Sequence, residues 1–391
     1  MRIPDHDFNQ GDRQLYEDSY YEFVKRAFKI LDPGTEFIDN WHIEEVCNQL
    51  QARMELLFKG EFVRGMIINV PPGSLKSIMC TVCPLAWAWT SFPSFAHAGA
   101  SHEATLAWKH NRMTRLLIES EWYQKHWPHI QLAKDQNQKK EFENTMNGHR
   151  FGTGISGSTG RHFHMYSVDD PINPKAAVSE IERDSTNETV SGTLTNRHRN
   201  PNSFFFLIIM QRLHEQDTTG FFKSLMGDDY DYWVIPAEES EMISPARFIK
   251  HYKNGLFFPK RFSLKYLQKE KVIKGSIGYS GQYGQNPVPP EGYMAKGWHF
   301  GWYNPEDLAD GYRANFDVDT AFGEEDRKRK AQGKIAYSVI LAHTQLGNNL
   351  ALTNVSRNKF DSPKWRRHLA LWVMENGYNS KSRIRIEPKA N

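Results

Sequence analysis

The chain has none of the features that would send it into a membrane or out of the cell. No stretch approaches the roughly 20 consecutive apolar residues of a membrane span. The first residues, MRIPDHDFNQGDRQLYEDSYYEF, are polar and acidic and hold no signal-peptide core, which points to the cytosol as the place of work. Cysteine is scarce, three in 391 residues, as a reducing compartment favours. Cys80 and Cys83 form a lone C-x-x-C. Zinc needs two more ligands and no second pair exists, so two half-buried thiols on a helix are the plainer expectation. Charge is also modest. A formal net +3 permits a polyanionic partner without requiring one.

Glycine is missing where one motif would want it. The stretch GMIINVPPGSLKSIMC, Gly65 to Cys80, runs as strand, tight loop, Lys-Ser and helix, the order of a phosphate-binding loop. Against the usual G-x-x-x-x-G-K-[ST] spacing, Val70 and Leu75 stand where glycines belong. The chemistry is otherwise present. Lys76 can reach phosphates as a point charge and Ser77 can place a hydroxyl on magnesium. The backbone of Pro72, Gly73, Ser74 and Leu75 can turn its amides toward phosphate oxygens at a helix N-terminus.

A phosphate loop that hydrolyses needs acids, and FHMYSVDDP places Asp169 and Asp170 directly after a candidate strand. One carboxylate can hold magnesium and the other can orient or deprotonate the attacking water. The reading here gives Asp169 the metal and Asp170 the water; an ordinary Asp-Asp-Pro turn is the plain alternative. FFFLIIMQRLHEQDTTG reads as a buried strand ending in Gln211, which could sense the terminal phosphate from the strand's carboxyl end. SGSTGRHF puts Arg161 in a glycine-rich loop. It could neutralise transition-state charge, bind DNA phosphate, or solvate the loop.

Hydrophobic residues make up 39% and aromatics 13%, enough for a globular chain of two domains. Residues 14–60 read as helices with apolar positions three and four apart. From 63 to 210, short apolar runs alternate with helical stretches, the signature of a mainly parallel sheet with helices on its faces. The expected division is an ATPase domain with N-terminal helices over 1–245, a proline- and glycine-rich connector over 246–305, and a second α/β domain over 306–391.

IINVPPGSLKS, LIESEWYQKHWP, DQNQKKEFENT, GSTGRHF, VDDP, IMQRLHEQDTTG and GQYGQNPVPPEG occur in the order found in large terminase subunits of tailed bacteriophages, and from about residue 36 onward the chain resembles that family. The resemblance implies a P-loop ATPase with a mainly parallel sheet, followed by a ribonuclease H-like nuclease domain. It implies ATP with Mg2+ at Lys76, Ser77, Asp169 and Asp170, and a coupling motif around Gln211. Arg161 resembles an arginine finger that in a ring of subunits would act on a neighbour's nucleotide. The family's P-loop commonly departs from the standard glycines, so Leu75 reads as a variant. Implied partners are double-stranded DNA, the portal protein of a procapsid, a small terminase subunit and other copies in a homo-oligomeric ring. The implied location is the host bacterial cytoplasm, with no membrane.

In the second domain Asp317 and Asp319 alternate on a strand and so share a face. Glu387 stands at a later strand end. DVDTAF resembles the first acidic motif of the terminase nuclease and IRIEPKAN the second, which would give Asp319 and Glu387 to Mg2+ or Mn2+ with Asp317 as an accessory. Relatives often carry an acid where this chain has Ala336. The third acidic motif is missing, so the expectation is a complete ATPase with a truncated, poorly cleaving nuclease and an unpaired sheet edge that favours self-association. Basic residues Arg327–Lys330 and Lys260–Arg261 are candidates for gripping DNA. The competing readings are a helicase-like or repair ATPase on the same fold and a non-catalytic assembly protein with a decayed loop.

Overall fold

Strand β1 (Gly65–Asn69) is a run of buried residues, and its neighbours explain why. The computed structural model describes residues 10–157, 160–288, 301–308, 310–320, 337–358 and 362–387. It divides into two units, Met1–Tyr293 and Met294–Asn391.

The first unit opens with three helices, α1 (Gln10–Asp18), α2 (Tyr20–Leu31) and α3 (Trp41–Phe58). After β1 come α4 (Cys83–Ser91), β2 (Ala96–Ser101), α5 (Ala104–Glu119) and α6 (Glu121–His126). An antiparallel edge follows, β3 (Leu132–Asn137), β4 (Glu141–Asn144) and β5 (His149–Gly154). Then come β6 (Met165–Asp169), α7 (Glu180–Thr189), β7 (Phe205–Met210), α8 (Thr218–Met226), β8 (Tyr230–Val234) and α9 (Leu264–Gln282). The eight strands lie in the order β3-β4-β5-β2-β6-β7-β1-β8. From β5 to β8 every pairing is parallel.

A parallel sheet covered on both faces must be apolar on both, so its strands read as continuous hydrophobic runs rather than alternating ones. Met66 and Ile68 face one core with α2, α3 and α4. Ile67 faces the other, with Ile208, Phe206 and Phe222. Truncating Ile208, which is fully buried in that second core, to Ala would cost about 2–5 kcal/mol. β1 and β6 are separated by β7 alone, so the carboxyl ends of all three strands open onto one crevice.

The connector expected over 246–305 is not one in its described part. Phe248, Tyr252, Phe257, Phe258, Phe262, Leu267, Tyr279 and Tyr283 belong to the same core as α2 and α3. Glycines there break helices rather than domains: Gly275 (φ 68°) kinks α9 and Gly255 (φ 73°) turns the chain. The aromatics between them, not the punctuation, decide where the segment packs. The sequence also missed β3 and β4, which carry charged and amide side chains and lack an apolar run, and β8, a short aromatic strand interrupted by Asp231. Cys80 and Cys83, expected half-buried, are fully buried and free, and burial pushes both thiols up.

The second unit has β9 (Asn315–Asp319), β10 (Ser338–Leu346), β11 (Asn349–Asn358), α10 (Ser362–Glu375) and β12 (Arg383–Ile386). Three antiparallel strands are joined by a helical crossover to β12, which returns parallel to β9, in the order β11-β10-β9-β12. Phe316, Val318, Ile340 and Ala342 form its core with Trp365 and Val373 of α10. β12 is an edge strand with all four residues exposed. The basic cluster Arg327–Lys330 and Ala336 lie outside the described residues.

Candidate functional site at the carboxyl ends of the parallel strands

The loop after β1 resolves the missing glycines. Gly73 has φ 81° and Leu75 has φ 64°, so both take the left-handed conformation. That region costs an L-residue roughly 1–2 kcal/mol and costs glycine little. Leu75 offsets part of this by packing its side chain on the core beside α3. Val70, 3% exposed, stays with the strand and donates its N–H to the Met210 carbonyl at 3.2 Å. The Leu75 carbonyl accepts from Ile78 and Met79 (3.1 and 3.2 Å), so the helix begins at Lys76. The amides before Ile78 lie at the open N-terminal end, where an anion is favoured.

The acids converge on this loop. Lys76 Nζ lies 2.5 Å from Asp170 Oδ1. Ser77 lies beside the Asp169 carboxylate and favours its charged form. Asp169 ends β6 and is 3% exposed; its Oδ1 has no partner among the described residues. Burial, and then the charge of Asp170, push its carboxyl up to about 6, against the pull of Lys76 and Ser77. Asp170 sits just past the strand with φ 46°, its backbone carbonyl accepting from His102 N–H at 3.1 Å and its Oδ1 accepting from Gln211 N–H at 3.2 Å. The loop lysine, the hydroxyl, both acids and the end of β7 therefore occupy one place.

Four residues the sequence reading did not single out for this site support it. His42 of α3 bonds the Ser74 carbonyl through Nε2 (3.1 Å), and burial pulls its imidazole down to about 4, leaving it neutral. His110 of α5 brings Nε2 to 3.8 Å from Asp169 Oδ2. Asp217 caps α8 and takes both oxygens of its buried carboxylate to Arg212 Nε (3.0 and 2.9 Å), while also accepting from Leu213 and His214 N–H. This fixes the segment after Gln211 from one side, and Gln285 Oε1, accepting from Arg212 N–H at 3.0 Å, fixes it from the other. Asp217, as the N-cap in Asp-Thr-Thr-Gly, and Gln285, inside GQYGQNPVPPEG, left a sequence signal, and the two histidines left none.

Arg261, read from sequence as a DNA grip, covers the loop instead. Its Nε and Nη2 lie 3.6 and 3.7 Å from the point a Cβ on Gly73 would occupy. Phe258 and Phe262 anchor it in the core, and Arg261 N–H bonds the Phe258 carbonyl at 3.0 Å.

Arg161 is not brought to this site. It pairs with both oxygens of Glu141 (Nε 3.0 Å, Nη2 2.8 Å) and lies 4.7 Å over the Phe151 ring. Glu141 is on β4, five strands from β1 in the sheet, or about 24 Å at 4.8 Å per strand. A glycine-rich loop suggested a free arginine; a buried-edge carboxylate holds it.

In the second unit Asp317, Asp319 and Glu387 line one open depression of about 460 Å³. Phe316 and Val318 point into the core between the two aspartates. Parallel pairing sets Arg385 beside Asp317 and Ile386 beside Val318, so Glu387 falls next to Asp319, its N–H on the Val318 carbonyl at 2.9 Å. Asp317 is engaged otherwise: Arg385 Nε and Nη2 reach its two oxygens at 2.6 and 2.8 Å, and His343 Nε2 approaches at 3.1 Å.

No protein-family profile matches the chain, and no curated protein matches it. Among solved structures it is similar to the large terminase of bacteriophage HK97, at 9% identity and a TM-score of 0.45, over 96% of this chain and 75% of that one. It is similar to a large terminase from a thermophilic bacteriophage, at 8% identity and a TM-score of 0.38, over 88% of this chain and 77% of that one. It is also similar to the large terminase ATPase domain of Thermus phage P74-26, at 12% identity and a TM-score of 0.40, over 67% of this chain and 97% of that one.

Proposed function

We propose that this chain is a large terminase subunit, an ATPase that drives double-stranded DNA into a viral procapsid. The observation that carries the reading is the convergence of Lys76 and Ser77 on Asp170 and Asp169 at the carboxyl ends of β1 and β6. The seven motifs in family order supply the specific identity, which the site geometry alone does not.

In this reading the amides ahead of Ile78 and the Lys76 ammonium hold the nucleotide's phosphates. Asp170, now paired with Lys76, is released when phosphate takes over the lysine, and becomes the base that orients water. Ser77 and Asp169 suit a magnesium ion: a hydroxyl and a buried carboxylate oxygen without a partner stand together. When bound, that ion would neutralise phosphate charge. Gln211 joins the site through its N–H on Asp170, so the segment it begins, locked by Asp217 and Gln285, is placed to feel hydrolysis and pass it to DNA.

The meander and parallel fourth strand of the second unit suit a ribonuclease H-like nuclease. Asp319 and Glu387 would hold one Mg2+ or Mn2+ ion, with Asp317 withheld by Arg385, and weak cleavage follows. Portal, small subunit and ring assembly are part of the proposal, as is work in the host cytoplasm; no described helix is long and apolar enough to cross a membrane.

The test is phosphate release from ATP by the wild type and Lys76→Ala, with and without duplex DNA and portal. A loss of at least 100-fold in the variant is expected. Equal, near-zero rates under every condition would instead support a non-catalytic docking protein, and strand separation of a duplex substrate would support a helicase.

A further inference from the structure

Helix α5 presents a second feature on the first unit. Between it and the β3–β4 edge lies a pocket of about 360 Å³. Lys109, Arg112 and Arg115 line it from the helix, three residues apart, and Lys139 faces them from the other wall. Trp108 and Phe142 supply apolar floor. No carboxylate is among the described residues that line it, although Arg115 Nε lies 3.9 Å from Glu119 Oε2 on the same helix. The Trp108 Nε1 proton is buried and has no acceptor among the described residues, a cost that an incoming acceptor would remove. The walls are built rather than incidental. Asn111 Nδ2 donates to the Lys139 and Lys140 carbonyls (3.3 and 2.8 Å), and its Oδ1 accepts from the fully buried Arg150 Nε at 2.8 Å.

We propose that this pocket binds the phosphodiester backbone of double-stranded DNA. The three helical cations are strung over about 9 Å of helix at 1.5 Å per residue. Evenly spaced phosphates can meet such a row in turn, whereas a single carboxylate or free phosphate meets one member. The planar fork of Arg112 and the indole N–H suit phosphate oxygens, and both bind backbone without reading sequence. Lys260–Arg261, one of the grips expected from sequence, is not among the residues that line this pocket. The assignment of DNA as the source of phosphate rests on the terminase reading; the pocket's chemistry does not.

The experiment compares the full chain with Lys109→Ala/Arg112→Ala and with Lys109→Arg/Arg112→Lys. Binding of a fluorescent 30-base-pair duplex is followed by anisotropy from 50 to 200 mM salt, with inorganic tripolyphosphate and polyglutamate as competing probes. Thermal melting checks the fold of each variant. The alanine pair is expected to bind the duplex at least 10-fold more weakly at low salt, with the slope of log K against log salt reduced by about two, and the charge-preserving pair to keep the wild-type slope with an affinity between the two. Unchanged duplex affinity and slope overturn the proposal. So does a loss confined to tripolyphosphate, which would make this a free-phosphate site, or to polyglutamate, which would make it a dock for an acidic protein. If the wild type hydrolyses no ATP the motor reading falls, while the duplex comparison still decides the pocket.

Discussion

Lys76 Nζ and Asp170 Oδ1 stand 2.5 Å apart although 94 residues separate them in the chain. In the proposed function the carboxylate that orients water and the cation that holds phosphate are thus paired with each other. Asp170→Asn should therefore remove hydrolysis by at least 100-fold while leaving a free lysine to hold ATP. Binding of a fluorescent ATP analogue within a few-fold of wild type, with phosphate release lost, is the expected pair of results. Loss of binding as well would mean that Asp170 builds the loop rather than acting on water.

Leu75 carries a left-handed φ that glycine would take without strain. Leu75→Gly should keep hydrolysis within about threefold, since relief of roughly 1–2 kcal/mol of strain offsets lost packing and added chain entropy. Leu75→Val should lower both melting temperature and rate, because a β-branched residue tolerates positive φ poorly. Melting curves and steady-state rates of the two variants check this ordering.

Asp169 trades stability for function. Its carboxyl holds a proton up to about pH 6 in the folded chain, against about 3.9 when unfolded. Between those values the folded state binds more protons, so this group's contribution is fully present below pH 4 and is lost as pH rises through 6. In metal-free buffer at pH 7.5, Asp169→Asn should melt a few degrees above wild type, at about 2–4 °C per kcal/mol. The gap should close at pH 4. A variant that melts lower at pH 7.5 would contradict the buried-charge account.

Arg261 lies against Gly73, so its removal should be felt by nucleotide. Arg261→Ala should raise the KM for ATP about 10-fold or more, with Arg261→Lys between. Weakened duplex binding at unchanged KM would return this residue to the role of a DNA grip.

Arg385 occupies both oxygens of Asp317, the carboxylate that the proposed nuclease reading makes an accessory to Asp319 and Glu387. Plasmid cleavage with Mn2+ should be weak in the wild type, and Arg385→Gln should lower the Mn2+ concentration that gives half-maximal cleavage. Robust wild-type cleavage that Asp319→Ala leaves intact would place the chemistry elsewhere.

The elements legible in the sequence were those with one strong local cause. β1 and β7 announce themselves as apolar runs because both faces are buried, and β2, β5 and β6 as short segments between helical stretches. Asp169 and Asp170 were legible because a strand ends there. β3 and β4 were not, since EFEN owes its place to pairing with β5, and KDQN to pairing with β4, rather than to propensity. The place of Arg161 was not legible for a related reason: the loop is glycine-rich, but Glu141, 20 residues earlier, holds the guanidinium in this chain.

By itself the sequence determined the chemistry available: a lysine and a hydroxyl after one strand, two acids after another, and aspartates alternating on a third. Those follow from local periodicity and from what each side chain can donate or accept. Tertiary structure alone decided which groups meet. The strand order set β7 between β1 and β6, and core packing of the segment from 246 to 288 brought Arg261 to Gly73. Parallel pairing of β12 with β9 put Arg385 on Asp317. Each depends on contacts between residues far apart in the chain, whose energies come from burial and register and so leave no mark on any short stretch of sequence.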